Sequence, residues 1–174
     1  MVVSFSKLGK SCSVPHRMSA WRRGRCQLLA DKYRTTVHLA THSEGEIIYI
    51  DKVDNNSSVV VYSQIGKRAP MYCTGVGKAI LAFLPEEYME KYVLSRPLIK
   101  MTEHTITTGD GLLKELEQVR ERGYAVDDEE IALGVRCIAA PIYDYRGVVN
   151  YSLCISGTTK QYKTIFHGPL SPQR

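Results

Sequence analysis

Two apolar runs joined by four turn-forming residues constrain this 174-residue chain more than any other feature. Gly134 to Tyr143 leads into Asp144-Tyr145-Arg146-Gly147, and Val148 to Ser156 follows. Both runs are rich in Val, Ile and small apolar residues, while Asp and Gly suit a tight reversal, so the segment predicts a β-hairpin. A second hairpin is predicted earlier, from Thr36–Ala40 and Ile47–Ile50 around Ser43-Glu44-Gly45-Glu46, with Gly45 where a positive φ is wanted. Asp54-Asn55-Asn56-Ser57 reads as the next turn and Ser58 to Tyr62 as a third strand.

The segments between the hairpins carry a different period. Gly66 to Pro70 reads as a loop, because Pro70 biases Ala69 away from helix. Thr74 to Leu84 starts with glycines, continues as an apolar helix and stops at Pro85; Glu86 and Glu87 then open a short helix with their charges at its positive end. Leu112, Leu113, Leu116 and Val119 share one face of an amphipathic helix that Thr108 or Asp110 caps and Gly123 closes. Leu28-Leu29-Ala30 looks like the last turn of another helix. Strands, then helices, then strands is not the alternation of a parallel sheet. The fold class expected is α+β, a mostly antiparallel sheet packed with helices.

Charge narrows the function. Residues 1–35 carry eight Lys or Arg against one acid, and residues 158–174 carry three against none. Residues 36–157 carry twelve against seventeen, a net of −5, so the patterned part of the chain repels a phosphate backbone. The basic cluster Arg22-Arg23-Gly24-Arg25 fits a solvated arm. No apolar run reaches the ~20 residues that span a bilayer, and the N-terminus has no signal-peptide core, so a cytoplasmic location without membrane contact is expected. Five cysteines without a Cys-x-x-Cys pair suggest neither a disulfide framework nor a zinc knuckle. Cys137 and Cys154 fall in strand-like runs, where a reduced cysteine commonly serves as a small buried hydrophobe.

Gly77-Lys78 invites comparison with a phosphate-binding loop, but Tyr72 and Ala79 stand where that loop needs Gly and Ser or Thr, so nucleotide binding is excluded. Two readings of Gly75 and Gly77 remain open at this point. The glycines expose helix-start N–H groups to a carboxylate, or they permit close packing of helix on sheet. Of the run Asp127-Asp128-Glu129-Glu130, most is expected in a solvated turn, with Asp127 facing inward as a hydrogen-bond acceptor. Its spacing is not that of a calcium loop. None of His16, His38, His42, His104 and His167 sits in a catalytic signature, and His38 and His42, on a strand, share a face too far apart for a metal pair. No catalytic residue, metal ligand or cofactor is expected.

In order along the chain, Leu29-Ala30-Asp31, Thr36–Ala40, Gly45–Val53, Pro70-Met71, Thr74–Ala79, Arg122–Glu130, Gly134–Pro141 and Ile155-Ser156-Gly157 resemble the effector-binding domain of IclR-type bacterial transcription regulators. The resemblance covers about 130 residues and implies a GAF-like domain that binds a small organic acid to control DNA binding and transcription. It also implies a pocket formed by Gly75 and Val76 at the helix start, by Asp127, Cys137, Cys154 and Ser156 from the sheet, and by Ala69 and Val135 as apolar lining. Many relatives carry Ser where this chain has Cys154. Residues 28–157 are taken as the domain, between a divergent basic segment 1–27 and a divergent tail 158–174.

Residues 1–27 are too short for the family's winged helix-turn-helix, and Gly168-Pro169 and Pro172 cannot extend its final amphipathic helix, so the chain reads as a truncated or terminally altered member. No direct DNA contact is expected of it, and a homo-oligomer, dimer or tetramer, is. Two alternatives stand beside this reading. One is a stand-alone GAF-like sensor acting through hetero-oligomers; the other is a small enzyme using Cys137 or Cys73.

Overall fold

A computed structural model of the chain describes residues 22–55 and 64–165. The third strand expected at Ser58 to Tyr62 lies outside the described residues. Six strands form one antiparallel sheet: β1 (Thr36–Ser43), β2 (Glu46–Val53), β3 (Arg68–Pro70), β4 (Ala125–Asp128), β5 (Val135–Tyr143) and β6 (Val149–Thr158). Their spatial order is β3-β2-β1-β6-β5-β4, which pairs the two hairpins side by side through β1 and β6. The fold class is the α+β arrangement expected.

Both hairpins close for the reasons read in the sequence. Glu44 and Gly45 have φ of 52° and 84°, the paired positive values of a two-residue turn between Ser43 and Glu46. At the other hairpin the Asp144 carboxylate accepts from the N–H groups of Arg146 and Val148 at 2.8 and 2.9 Å, and Gly147 takes a φ of 81°.

Arg68–Pro70 is a strand where the sequence predicts a loop. It pairs antiparallel with β2, and Arg68 Nε reaches Glu46 Oε2 across the strands at 2.6 Å. As the edge strand it tolerates Pro70, whose missing N–H is not required by a neighbour on the open side. Three residues are too few for alternation to show.

Helix α1 (Gln27–Tyr33) covers one face of the sheet, with Cys26 and Ala30 packed against Val37, Val53, Leu153 and Ile155. It runs three residues past the Leu28–Ala30 turn expected to end it, and Arg34 terminates it in the left-handed conformation. The larger core lies on the opposite face, under α2 (Gly75–Leu81), all of whose residues are buried. Next come α3 (Glu86–Met89), continued by a wider helical turn over Glu90–Leu94, and α4 (Gly109–Arg122). The latter is capped by Thr108, which accepts from Gly111 N–H at 3.2 Å, and closed by Gly123 at a φ of 77°. It buries Leu112, Leu116 and Val119, the face its periodicity predicted. A final helix, α5 (Thr159–Ile165), stands ahead of Gly168-Pro169 in a stretch where the sequence showed no element, and it buries Tyr162.

Register decides what faces α2. Asp127 of β4 lies opposite Cys137 of β5, which lies opposite Ser156 of β6, which lies opposite Thr36 of β1. One step along, Ala125, Ala139, Cys154 and His38 form the next row on that face. A bulge in β2 shifts the pairing from Leu39–Asp51 to Ala40–Tyr49. The extra residue turns Tyr49 to the α2 side, where its ring lies 5.2 Å from that of His38.

Candidate functional site

The start of α2 meets the polar row of the sheet. Thr74 is the N-cap; its Oγ1 accepts from Gly77 N–H at 3.2 Å and donates to Pro70 O at 2.8 Å. Helix geometry supplies no intrahelical acceptor to the N–H groups of Gly75 and Val76. Ser152 Oγ donates to Val76 O at 2.8 Å and ties this turn to β6.

The two glycines, alike in sequence, differ in the structure. A Cβ on Gly77 would overlap Met71 Cα and its carbonyl oxygen, so Gly77 serves close packing. A Cβ on Gly75 would lie 3.4 Å from Cys137 Cβ, 3.5 Å from Ala139 Cβ and 3.5 Å from Asp127 N, close to ordinary contact. Gly77→Ala is therefore expected to destabilise the domain by about 1–3 kcal/mol, and Gly75→Ala to leave it folded, as chemical denaturation will show. Equal losses at both positions would contradict this division.

Asp127 is buried, with its Oδ1 accepting from Glu130 N–H at 2.8 Å. Burial pushes its carboxyl up to about 7, against the hydrogen bond to Glu130 and the charge of Lys78, which act downward. At neutral pH and below, Asp127 can therefore carry a proton and donate a hydrogen bond. Asp128 is exposed and pairs with Arg136, but across the strands as the last residue of β4 and not in the solvated turn expected.

Glu130 departs from that expectation. It is buried and forms an ion pair with Lys78, which is itself buried on α2 and lies 3.3 Å from Glu115. Glu115 also binds Arg122 at 2.7 Å. Glu129 adopts a φ of 61°, which turns the chain so that Glu130 follows Asp127 inward. Thr102 and Thr105 fasten the turn by donating to Glu129 O and Glu130 O at 2.6 and 2.7 Å.

Four further side chains converge beside Asp127. Cys137 Sγ is 3.0 Å from Ser156 Oγ, and Ser156 Oγ is 3.2 Å from His38 Nδ1. Cys154 Sγ is 3.4 Å from Ser156 Oγ and 3.5 Å from His38 Nδ1. His38 is not among the residues the family motifs imply, although alternation along β1 puts it on one face with Thr36 and Ala40. Nor is Tyr49, because the bulge that brings it there has no local signal in the sequence. Val135 lies two residues before Cys137 on the same face of β5. Ala69 lies on the opposite edge strand, beside Ile47 and one residue before Pro70, whose carbonyl accepts from the Thr74 cap of α2. Among the described residues no group of three or more His, Cys, Asp and Glu is arranged to hold a metal ion. No helix among them is long and apolar enough to cross a membrane.

The sequence matches the family described as bacterial transcriptional regulator IclR C-terminal over residues 16–165. The chain belongs to this family. The IclR-type domain is 40% identical over 129 residues to the HTH-type transcriptional regulator KdgR of Escherichia coli strain K12, a match covering 74% of this chain and 49% of the regulator. It is 38% identical over 126 residues to the HTH-type transcriptional repressor AllR of the same strain, covering 72% and 46%. The chain thus spans about half the length of the curated relatives it matches. Among solved structures it resembles the C-terminal domain of E. coli KdgR, with a TM-score of 0.71 at 34% identity over 87% of this chain and 90% of that one. It also resembles the inducer-binding domain of PobR from Acinetobacter, a double mutant in complex with 3-hydroxybenzoic acid, with a TM-score of 0.75 at 25% identity over 88% and 90%. The domain is therefore homologous to the effector-binding domains of transcription regulators, which is the family the sequence motifs resemble.

Proposed function

We propose that this domain, centred on residues 28–157, senses a small organic acid and through it controls DNA binding and transcription by the regulator it serves. The acid's carboxylate sits on the N–H groups of Gly75 and Val76. Asp127 and Ser156 hydrogen-bond its hydroxyl or keto substituents, Cys137 and Cys154 complete the floor, and Val135 and Ala69 supply apolar surface. One observation carries this reading: the glycine start of α2 packs against Asp127 and Cys137, two members of the polar row Asp127–Cys137–Ser156. Lys78, the cation buried there, is already committed to Glu130 and Glu115, so the acid is held by backbone dipoles and neutral donors. The hydroxybenzoic acid in the PobR structure is a ligand of this chemical class on a similar scaffold.

The same reading assigns the domain a binding role without catalysis, in the cytoplasm, as a homodimer or homotetramer that makes no DNA contact of its own. Ligand-dependent closure then shifts the domain between states with different assembly geometry. The test is a thermal-shift screen against sugar-derived and aromatic hydroxy acids, repeated with Val76→Trp and Asp127→Asn. At least one acid is expected to raise the melting temperature of the wild type, and the Trp side chain at position 76 to abolish that rise. The proposal fails if no acid stabilises the wild type, or if both variants respond as it does.

A further inference from the structure

We infer that Cys154 captures the carbonyl carbon of an aldehyde- or keto-bearing acid as a reversible covalent adduct, with His38 carrying the proton. This rests on the acid-binding reading of the same face, and adds a bond to it. Cys154 belongs to the buried apolar core beneath α2 and Cys137 packs against it, but both also have polar neighbours. Here Cys154 Sγ and Ser156 Oγ both lie within hydrogen-bonding reach of the same nitrogen, His38 Nδ1, at 3.5 and 3.2 Å, and the Tyr49 ring lies 5.2 Å from the imidazole. A thiol beside a base that can take its proton is the arrangement that activates a cysteine nucleophile.

The second thiol has a different part. Cys137 lies opposite Ser156, while Cys154 lies opposite Ala139, so the two cysteines are diagonal neighbours on β5 and β6. Diagonal Cα atoms are about 7–8 Å apart, beyond the span of an unstrained disulfide. Cys137 Sγ instead lies 3.0 Å from Ser156 Oγ, which in turn lies 3.4 Å from Cys154 Sγ. The neighbouring Cys137 draws the Cys154 thiol well below the usual cysteine range, and His38 and Ser156 add to this against the effect of burial. Cys154 and burial together hold Cys137 well above that range. Of the other ionisable groups facing the site, burial pushes up both Tyr49 and Asp127, and Cys73 is pushed up to about 12 by burial and the nearby acids.

The chemistry balances without a co-reactant. With its proton on Nε2, His38 accepts the Cys154 thiol proton at Nδ1. The sulfur lone pair forms a C–S bond to the carbonyl carbon, the π pair moves to oxygen, and that oxygen takes the proton back from Nδ1. S–H has been added across C=O, nothing is oxidised or reduced, and no group leaves. Ser156 Oγ, 3.4 Å from Cys154 Sγ, is the neighbouring hydroxyl that would donate to the new alkoxide oxygen. The reverse path releases the acid intact, as a sensor requires.

Cys73 is as well shielded as Cys154, at 0% and 2% exposure, so a comparison of the two separates thiol chemistry from access. Alkylation of the full chain by iodoacetamide, mapped by mass spectrometry, is expected to modify Cys154 more than about tenfold faster than Cys73 at neutral pH. His38→Gln is expected to slow the alkylation of Cys154 while leaving that of Cys73 unchanged. Equal rates in the wild type overturn the inference. The adduct itself is read by carbon NMR with 2-oxobutanoate labelled at its keto carbon, beside 2-hydroxybutanoate, which cannot form one. The bound keto carbon is expected to appear as a tetrahedral carbon bonded to sulfur, and Cys154→Ser to abolish that signal. If the wild type binds both acids equally and shows no such carbon, the inference is overturned while the acid-binding reading stands. If neither these acids nor any in the hydroxy-acid screen binds, both fall.

Discussion

Lys78→Met is expected to lower the stability of the domain by about 3–5 kcal/mol, read as a drop in the denaturant midpoint at neutral pH. The methionine keeps most of the lysine's unbranched stem, so packing in α2 is nearly preserved and the measured loss is chiefly electrostatic. Lys78 is 1% exposed and its partner Glu130 is 6% exposed. Once the ammonium is gone, Glu130 is left as a buried carboxylate whose Oε2 already has no protein partner among the described residues. Its carboxyl, raised by burial and held down by Lys78, would then rise further. Glu115 keeps Arg122 at 2.7 Å, so the loss falls mainly on Glu130. The double variant Lys78→Met/Glu130→Gln should recover most of the stability, since removing both charges is far less harmful than removing one. A single variant as stable as the wild type, or a double variant no better than the single, would show that the ion pair does not hold α2 to the turn after β4.

This pair also shows where the sequence stops being legible. The hairpins announced themselves because turn chemistry and alternation are local: Glu44-Gly45 and Asp144 to Gly147 fix their own reversals within four residues. The buried face of α4 followed from a period that leucines and Val119 state outright. Lys78 and Glu130 are 52 positions apart, and nothing near either residue says that they meet. Four consecutive acids suggested a solvated turn, but Asp127 and Asp128 end β4, with Asp128 exposed, and Glu130 is buried because Glu129 enters the left-handed region and reverses the side-chain direction. Gly75 and Gly77 look equivalent until the Met71 backbone is placed beside one and the Asp127–Cys137 row beside the other. Family motifs pointed to Asp127, Cys137 and Ser156, and strand register brings these three into one row; Ala69 stands on the opposite edge strand. His38 joins the cluster through β1–β6 pairing across more than a hundred residues, a contact no local pattern encodes.

Asp127→Asn is expected to change the pH dependence of stability more than any other substitution in the site. In the folded domain the Asp127 carboxyl is raised to about 7 from 3.8, chiefly because burial disfavours its charge. Between those values the folded state binds a proton that the unfolded state has released. The resulting stabilisation is therefore complete below 3.8 and is lost as pH rises through 7, up to roughly 4 kcal/mol as an upper limit. Asparagine retains the acceptor for the Glu130 N–H at 2.8 Å but has no proton to lose. The variant should thus be more stable than the wild type above pH 7, with the advantage shrinking as pH falls through the window. Glu130, also raised by burial, contributes a slope of the same sign to both proteins, so the difference between the two curves isolates Asp127. Acid binding should follow the same proton. A neutral Asp127 donates to the ligand and an ionised one repels it, so wild-type affinity should fall through pH 7 while that of the variant stays level. Parallel stability curves would mean that Asp127 remains ionised when buried, and the proposed cradle would lose the neutral donor on which its preference for acids depends.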